Sequence, residues 1–337
     1  MTYIKFQPSD YTLDSQKVVK PAWSNDTEIL STFYTPVIDN GFYVNVYKDN
    51  LSVNPLATPQ FSISYANISG SGNISGSSYQ TYDGTKFTKI SYSSFRQSIL
   101  NSENDLFNFS ANGGTSSDEI FVLSLSRDCY RESIQGGFNL KLKSGSNILS
   151  LTDDSKIDIV NNYIGNTRYY NIISGSNGVL ASGSSIVATT QGTYGVVLPD
   201  LGLIVLNPKA LALSYANKGI GLAITTAPSN ATQRNELKLF NLISAGQLFQ
   251  VRSEETVTSK YYFCRLSNSD FNYTTNPSVL DNSGNIFDQT IIDNPTTYVT
   301  SLGVYNDKME LVGVAKLSKP LKKTFIEDKI IKVKFSW

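Results

Sequence analysis

Short apolar runs with a period of two, ended by turn-forming residues, most limit what this chain can fold into. In KIIKVKFSW (residues 329–337) every second residue from Ile331 is apolar, and the residues between are lysine or serine. Such alternation places successive side chains on opposite faces of a half-buried strand. The runs FYVNVY (42–47) and FNLKLKSG (138–145) repeat the pattern. We therefore predict a mainly β fold, a β-rich α+β protein with antiparallel, sandwich-like sheets and a few short helices.

Turn signals between apolar runs predict how some of these strands connect. Pro199-Asp200 separates two apolar runs within residues 192–208, which predicts two strands joined by a turn. Asn306-Asp307 divides residues 296–318 in the same way, and both residues tolerate positive φ, so we predict a hairpin there. EIFVLSLSR (119–127) is a further strand, which we place next to residues 138–145 in one sheet.

Two segments have helical spacing instead. Near residues 91–103, apolar side chains recur at Tyr92, Phe95 and Ile99, which predicts a helix. Near residues 232–245, apolar residues recur every third position. There we predict a helix that begins at Thr232 as N-cap and stops at Gly246.

The distribution of turn-rich stretches suggests three segments. Residues 1–65 are an N-terminal extended or β segment that can serve as an interaction arm. Residues 66–263 form a central β-rich domain that opens with a polar Gly/Ser loop at 66–78. Residues 264–337 form a C-terminal β-hairpin module, and the final strand leads us to expect that Trp337 is packed rather than exposed.

The charge balance gives no reason to expect a nucleic-acid or membrane partner. The chain has 28 basic and 28 acidic residues, so no net field attracts a polyanion or an anionic membrane. The longest apolar runs, such as LGLIVL (201–206), are far shorter than the roughly 20 residues of a spanning helix. Few charges and many tyrosines favour surfaces that contact other proteins.

Catalytic machinery is hard to assemble from these residues. The chain contains no histidine, which removes the usual general base and the commonest transition-metal ligand. Cys129 and Cys264 are the only cysteines, and we predict both to be reduced, buried thiols rather than zinc ligands. We therefore expect that the protein is not an enzyme. We also expect that it has no catalytic, cofactor-binding or metal-binding residues and no cofactor.

Four short motifs could still carry function, although each has a simpler interpretation. Asp153-Asp154 could join a calcium site or a carboxylate dyad, but a solvated turn is favoured because no calcium loop surrounds the pair. Glu254-Glu255 and Glu327-Asp328 could act as acids in glycoside cleavage, although such pairs are usually solvated. The aromatic run 261–263 lacks interleaved basic residues, which favours core or interface over stacking of sugars or bases.

Longer stretches of the chain resemble a known family. They are FTKISYSSFRQSIL (87–100), IFVLSLSRDCYRESIQGGFNLKL (120–142), LTDDSK (151–156), YGVVLPDLGLIVLNPKAL (194–211) and the segment from CRLSNSDFNYTTNPS to GVAKLSKPLKK (264–323). In this order they resemble virion structural proteins of contractile-tailed, myovirus-type bacteriophages, especially cyanophage-like ones. The resemblance covers about residues 67–337. Two departures from the family pattern are the lack of a histidine in 66–78 and Gly136-Gly137 in place of Pro-Gly.

The resemblance implies a virion protein, assembled in the host cytoplasm, without known catalysis and present in many copies. We expect a tail, baseplate or neck component that packs in a symmetric ring with copies of itself and other virion structural proteins. One alternative is a receptor-binding or adhesin subunit of the tail, and a less favoured one is a tail-associated polysaccharide depolymerase. The candidate protein-interface residues are Phe271, Asn272, Tyr273, Pro295, Tyr298, Tyr305 and Trp337.

Overall fold

The computed structural model describes residues 4–24, 26–35, 43–75, 83–109, 116–157, 162–227, 233–273 and 277–336. The chain forms two compact units. The larger unit is Lys17–Glu255, and the smaller unit comprises the described residues of Met1–Gln16 and Thr256–Trp337. The predicted segment boundaries, after residues 65 and 263, fall inside two strands instead of between elements. The alternation of apolar and polar residues continues along a strand. It therefore gives no signal of where one segment of the chain ends and the next begins.

The strands in chain order are β1 (Tyr11–Pro21), β2 (Ile29–Leu30), β3 (Val44–Tyr47), β4 (Pro59–Asn67), β5 (Phe107–Asn108), β6 (Ser116–Ser117), β7 (Glu119–Leu125), β8 (Ser133–Ile134), β9 (Asn139–Ser144), β10 (Asn147–Asp153), β11 (Asn162–Ile164), β12 (Thr167–Ser176), β13 (Val179–Leu180), β14 (Gly195–Leu198), β15 (Leu203–Leu206), β16 (Phe249–Gln250), β17 (Arg252–Leu266), β18 (Thr296–Tyr305), β19 (Leu311–Thr324) and β20 (Lys329–Ser336). The helices are α1 (Phe87–Leu100), α2 (Pro208–Ala212), α3 (Asn235–Gly246) and α4 (Gln289–Asp293), with 3-10 turns at Pro8–Asp10, Arg127–Cys129 and Tyr215–Asn217. The prediction of a mainly β protein with antiparallel sheets and few helices is confirmed.

One large antiparallel sheet organises the larger unit. Ten of its strands follow the order β2-β16-β9-β10-β12-β14-β15-β7-β4-β3. The predicted turn at Pro199-Asp200 is confirmed, because it joins β14 to β15, with Leu198 paired to Leu203. The prediction that β7 and β9 are neighbours is wrong. Because β10, β12, β14 and β15 separate the two strands, sequence proximity was a poor guide to pairing.

The large sheet is strongly curled. Phe61 on β4 and Phe249 on β16 have ring centroids 5.1 Å apart, although seven positions separate their strands in the sheet. A flat sheet would separate them by roughly 34 Å at about 4.8 Å per strand. Tyr34, four residues beyond β2, exchanges backbone hydrogen bonds of 2.8 and 2.6 Å with Tyr47 of β3. The chain after β2 therefore links one edge of the sheet to the other.

Both faces of this sheet are buried. On β7, Phe121 and Leu123 point into the main core, while Ile120 and Val122 point into a second core. The second core contains Tyr92 of α1 and other apolar residues of that helix. A central strand that is covered on both faces has a continuous apolar sequence instead of an alternating one. Residues 120–123, IFVL, are such a continuous apolar run.

The two longer helices lie close to the predicted positions. Helix α1 begins at Phe87, earlier than predicted, and ends at Leu100 because Asn101 takes a left-handed φ of 53°. Helix α3 ends at Gly246 as predicted. The position before α3 is held by Arg234, so the Thr232 N-cap prediction is wrong, and Thr232 itself lies outside the described residues.

Gly246 has a packing role beyond ending the helix. The left-handed residue at this end of α3 is Gln247, with φ 52°. A Cβ atom on Gly246 would lie 1.9 Å from the carbonyl oxygen of Lys141 on β9, so glycine lets the helix approach the strand.

The smaller unit contains two facing β layers. Strand β20 pairs with β17, and β18 pairs with β19 over most of their lengths. A Cβ atom on Gly313 of β19 would lie 2.7 Å from the ring of Phe335 on β20, which shows that the layers are in close contact. Ile331 and Val333 are buried between them, so the predicted alternation of the last strand is confirmed. Trp337 lies outside the described residues.

The predicted hairpin at residues 296–318 is confirmed, but its turn geometry differs. Asn306 and Asp307 do not take the positive φ value; Met309 does, at 61°. The side-chain oxygen of Asn306 accepts hydrogen bonds from the backbone N–H groups of Lys308 and Glu310. Asparagine therefore stabilises the turn through its side chain rather than through its own backbone conformation.

Candidate functional site

The side of the β18–β19 hairpin that faces away from β20 carries exposed apolar residues. Gly303 pairs with Val314, and a Cβ atom on Gly303 would lie 2.9 Å from the Tyr305 ring and 3.2 Å from Leu311. These side chains therefore share one surface. We call it the hairpin face and define it by the exposed residues Tyr298, Tyr305, Leu311, Val312 and Val314. Val314, for example, is 61% exposed. Several exposed apolar side chains on one strand pair are typical of an interaction site.

The candidate interface residues lie in different surroundings. Tyr298 and Tyr305 belong to the hairpin face, and Phe271 and Tyr273 are exposed on the loop after β17. Pro295 is half-buried next to β18. Trp337 lies outside the described residues, so its predicted packing and interface role stay predictions.

Asn272 is held in a hydrogen-bonded cluster with a buried lysine. Lys323 is 0% exposed, and its ammonium donates to Asn272 Oδ1 at 2.8 Å and to the Asn268 carbonyl at 3.2 Å. Asn272 Nδ2 donates to the same Asn268 carbonyl at 2.7 Å. Sequence reasoning missed Lys323 because lysines 322 and 323 look like one solvated pair. Its position two residues after Leu321, which packs against the core, was the available signal.

The aromatic run at 261–263 has basic neighbours after all. Tyr261 pairs with Lys334 and Phe263 with Lys332, and the Lys332 ammonium lies 4.2 Å from the centre of the Tyr261 ring. The run itself contains no basic residue, but the neighbouring strand β20 places two lysines beside it. Tyr262 points to the opposite side.

The larger unit contains a polar cleft of about 280 Å³. Its lining residues are Lys17, Glu132, Ser133, Tyr163, Arg168, Asp200 and Glu254. Lys17 Nζ lies 2.6 Å from Glu254 Oε1, and Arg168 Nη2 lies 2.9 Å from Asp200 Oδ1. The cleft thus presents two ion pairs instead of a bare pair of carboxylates.

The other acidic pairs do not resemble glycosidase acids either. A general acid in glycoside cleavage needs a raised pKa. A hydrogen bond from the Lys20 ammonium instead holds the pKa of Glu255 below its usual value. Glu327 is exposed and forms an ion pair with Lys329 at 2.6 Å, and Asp328 accepts a hydrogen bond from the Asn268 backbone N–H.

Asp153 and Asp154 are not the solvated turn that we predicted. Each is only 1% exposed. Asp153 accepts backbone hydrogen bonds from Gly137, Phe138 and Ser155. Such bonds offset the cost of burying a carboxylate, so the sequence pattern of two adjacent charges was misleading.

Asp154 binds the neighbouring strand in a similar way. Its two oxygens accept from the backbone N–H and the side-chain amide of Asn171, at 2.9 and 2.8 Å. Burial raises its pKa above the ordinary value. N–H donors occupy the oxygens of both aspartates, which suits a structural clamp rather than a cation site.

Metal and thiol chemistry find little support among the described residues. Across the described ranges, His, Cys, Asp and Glu do not gather in groups of three or more that could hold a metal ion. Cys129 is buried as predicted, whereas Cys264 is only half-buried. Burial raises the pKa of Cys129 to about 12, opposite to the change in a reactive thiolate. Among the described helices, none has the length and apolar character to cross a membrane.

Comparisons with known proteins add no relative. No protein-family model, curated protein or solved structure shows significant similarity to this chain.

Proposed function

We propose that this protein is a non-enzymatic structural subunit of a tailed-phage particle, located in the tail, baseplate or neck. It works by assembling in many copies, with itself and with other virion proteins, in a symmetric ring. The observation that carries this proposal is the hairpin face, an apolar surface on a strand pair of the smaller unit. The sequence resemblance to phage virion proteins supports a tailed-phage particle as the place of assembly.

The hairpin face suits assembly for two physical reasons. Burying a fully exposed valine or leucine side chain contributes about 1.5–3 kcal/mol, so several such residues together can supply much of a binding free energy. In the described residues β18 and β19 pair only with each other, so both outer edges of the hairpin keep unused backbone hydrogen-bonding groups. A closed ring can bury apolar faces and strand edges at once.

We expect Val314→Asp to abolish incorporation of the protein into particles without unfolding it. The new carboxylate would be desolvated in the contact, while in the free protein it stays in water. The measurement is the amount of the variant in purified particles, produced by complementing a phage that lacks the subunit. Val53→Asp is the matched control, since Val53 is 83% exposed in the larger unit.

The free energies of unfolding of the variant and of the control should lie within about 0.5 kcal/mol of the wild-type value, because substitutions at the surface usually have small effects. Particles that contain Val314→Asp at the wild-type level would contradict the assembly role of the hairpin face.

A receptor-binding subunit is the second candidate, and the polar cleft is the observation that favours it. Two ion pairs offer hydrogen-bond donors and acceptors side by side, and the exposed ring of Tyr163 lies at the rim. Such a mixture suits the hydroxyl groups of a glycan. A glycan array with purified protein tests this candidate: clear hits that disappear in Tyr163→Ala would favour it over a purely structural role.

A further inference from the structure

Lys323 is buried, although its two hydrogen-bond partners, Asn272 and Asn268, are half-buried and exposed, and such burial is unusual for a lysine. A buried ammonium is normally compensated by a carboxylate, because two neutral acceptors replace only part of its hydration. Both acceptors that Lys323 reaches are neutral carbonyl oxygens, one from the Asn272 side chain and one from the Asn268 backbone. Lys323 lies on the inner side of β19, where Leu321 is also packed.

The geometry is that of an amine positioned against an amide carbon. With Nζ 2.8 Å from Asn272 Oδ1 and a C=O bond of about 1.23 Å, Nζ lies about 3–4 Å from Asn272 Cγ. That separation overlaps the range of about 3–3.5 Å between reacting atoms in a near-attack arrangement. The Asn268 carbonyl accepts from both Lys323 Nζ and Asn272 Nδ2, so it holds the attacking and the leaving nitrogen together.

Backbone strain next to the cluster supports a functional arrangement. Phe271 has a φ of 55°, which is an unfavourable conformation for a bulky side chain. A hydrogen bond of 2.9 Å from Thr297 Oγ1 to the Phe271 carbonyl holds this conformation. Strained residues persist where the surrounding structure fixes them, often at sites with a specific task. Here the strained residue directly precedes Asn272, whose side chain is held by hydrogen bonds to Asn268 and Lys323.

We propose that Lys323 and Asn272 form an intramolecular isopeptide bond. Lys323 Nζ attacks Asn272 Cγ, the Cγ–Nδ2 bond breaks, and the nitrogen of the asparagine amide leaves. The balance is one ammonium side chain plus one primary amide giving one secondary amide plus one ammonium ion. No oxidant or reductant is needed. The product removes the buried charge, because a secondary amide is neutral.

The protons lost by the lysine nitrogen must reach the leaving nitrogen. Asp328 is the carboxylate tied to this cluster, since its Oδ1 accepts a 2.6 Å hydrogen bond from the backbone N–H of Asn268. We assign it the role of positioning the Asn268 peptide, whose carbonyl accepts from both nitrogens, so that protons pass from one nitrogen to the other through water. Asp328 does not appear in the product.

The test is the intact mass of the full-length chain under denaturing conditions. The wild-type protein is expected about 17 Da below its sequence mass, because one ammonia is lost when the bond forms. Lys323→Met should have its full sequence mass. Lys322→Met is the matched control: its side chain is exposed on the adjacent position, so it should remain about 17 Da below its own sequence mass.

Peptide mapping keeps the test independent of how the variants fold. A branched peptide that joins the segments around Asn272 and Lys323 is expected in digests of the wild type. A wild-type chain at full sequence mass, with both residues in separate unmodified peptides, would overturn the proposal. Asp328→Asn is expected to lower the linked fraction at a fixed time after synthesis, and an unchanged fraction would overturn the positioning role of Asp328.

Discussion

Replacing Phe249 with alanine is expected to lower the free energy of unfolding of the larger unit by about 3–5 kcal/mol. Phe249 is 0% exposed, and its ring centroid lies 5.1 Å from that of Phe61 and 5.0 Å from that of Trp23. Both contacts are edge-to-face, a geometry that adds about 0.5–1.5 kcal/mol per pair to the burial term. The loss is large because these rings join β16 to β4 across the curled sheet.

The measurement is urea unfolding followed by tryptophan fluorescence, with Trp337 replaced by phenylalanine in every chain so that the signal comes from Trp23. Trp23 Nε1 donates a 2.9 Å hydrogen bond to the Phe249 carbonyl, so the probe lies at the site of the change. Leu56→Ala is the control, because Leu56 is 90% exposed. The free energy of unfolding of this variant should lie within about 0.5 kcal/mol of the wild-type value. A loss below about 1 kcal/mol in Phe249→Ala would show that the aromatic contacts do not hold the sheet closed.

The elements with strong local patterns could be predicted from the sequence. The alternation in residues 329–337, the turn at Pro199-Asp200 and the hairpin around Asn306 each depend on neighbours within a few residues. Sheet order depends on distant partners, which no local period encodes. Strand β16 has only two residues, yet it pairs with both β9 and β2 and carries Phe249. Such a short strand gives almost no signal in the sequence.

Some residues of the candidate sites could likewise be predicted from the sequence, and others could not. Exposed Tyr298 and Tyr305 could be named from composition and the predicted hairpin, because aromatic residues on a strand pair favour contacts. Lys323 and the buried Asp153-Asp154 pair could not, since residue type alone predicts that charged side chains are solvated. Their environments are set by backbone groups and side chains far away in the chain, such as Asn268 for Lys323 and Gly137 for Asp153.

We expect Arg234→Met to lower the free energy of unfolding by about 3–5 kcal/mol at about pH 7. Arg234 Nε lies 3.4 Å from Glu236 Oε2, and the two side chains are only 3% and 6% exposed. Glu236 Oε1 also accepts from the backbone N–H of Tyr65 on β4, at 3.4 Å. Removing the guanidinium leaves a buried carboxylate without its opposite charge, and this penalty exceeds the value of the intact pair.

The loss should depend on pH with a definite sign. Burial raises the pKa of Glu236 above 4.5, and the charge of Arg234 partly offsets this rise. Without Arg234 the folded-state pKa rises further. Between the unfolded and folded pKa values the folded protein binds more protons than the unfolded one, so stability falls as pH increases. The deficit of Arg234→Met relative to the wild type should therefore be small near pH 4.5 and should grow as the pH rises toward about 7.

A double variant separates this charge effect from lost packing. Arg234→Met/Glu236→Gln keeps a carbonyl acceptor for the Tyr65 N–H but carries no buried charge, so at about pH 7 it should be more stable than Arg234→Met alone. Its difference from Arg234→Met should shrink at low pH, where Glu236 is protonated in the single variant. Urea unfolding of the three chains at both pH values is the measurement. An equal deficit of Arg234→Met at the two pH values would mean that packing of the arginine side chain, and not its charge, stabilises α3 against β4.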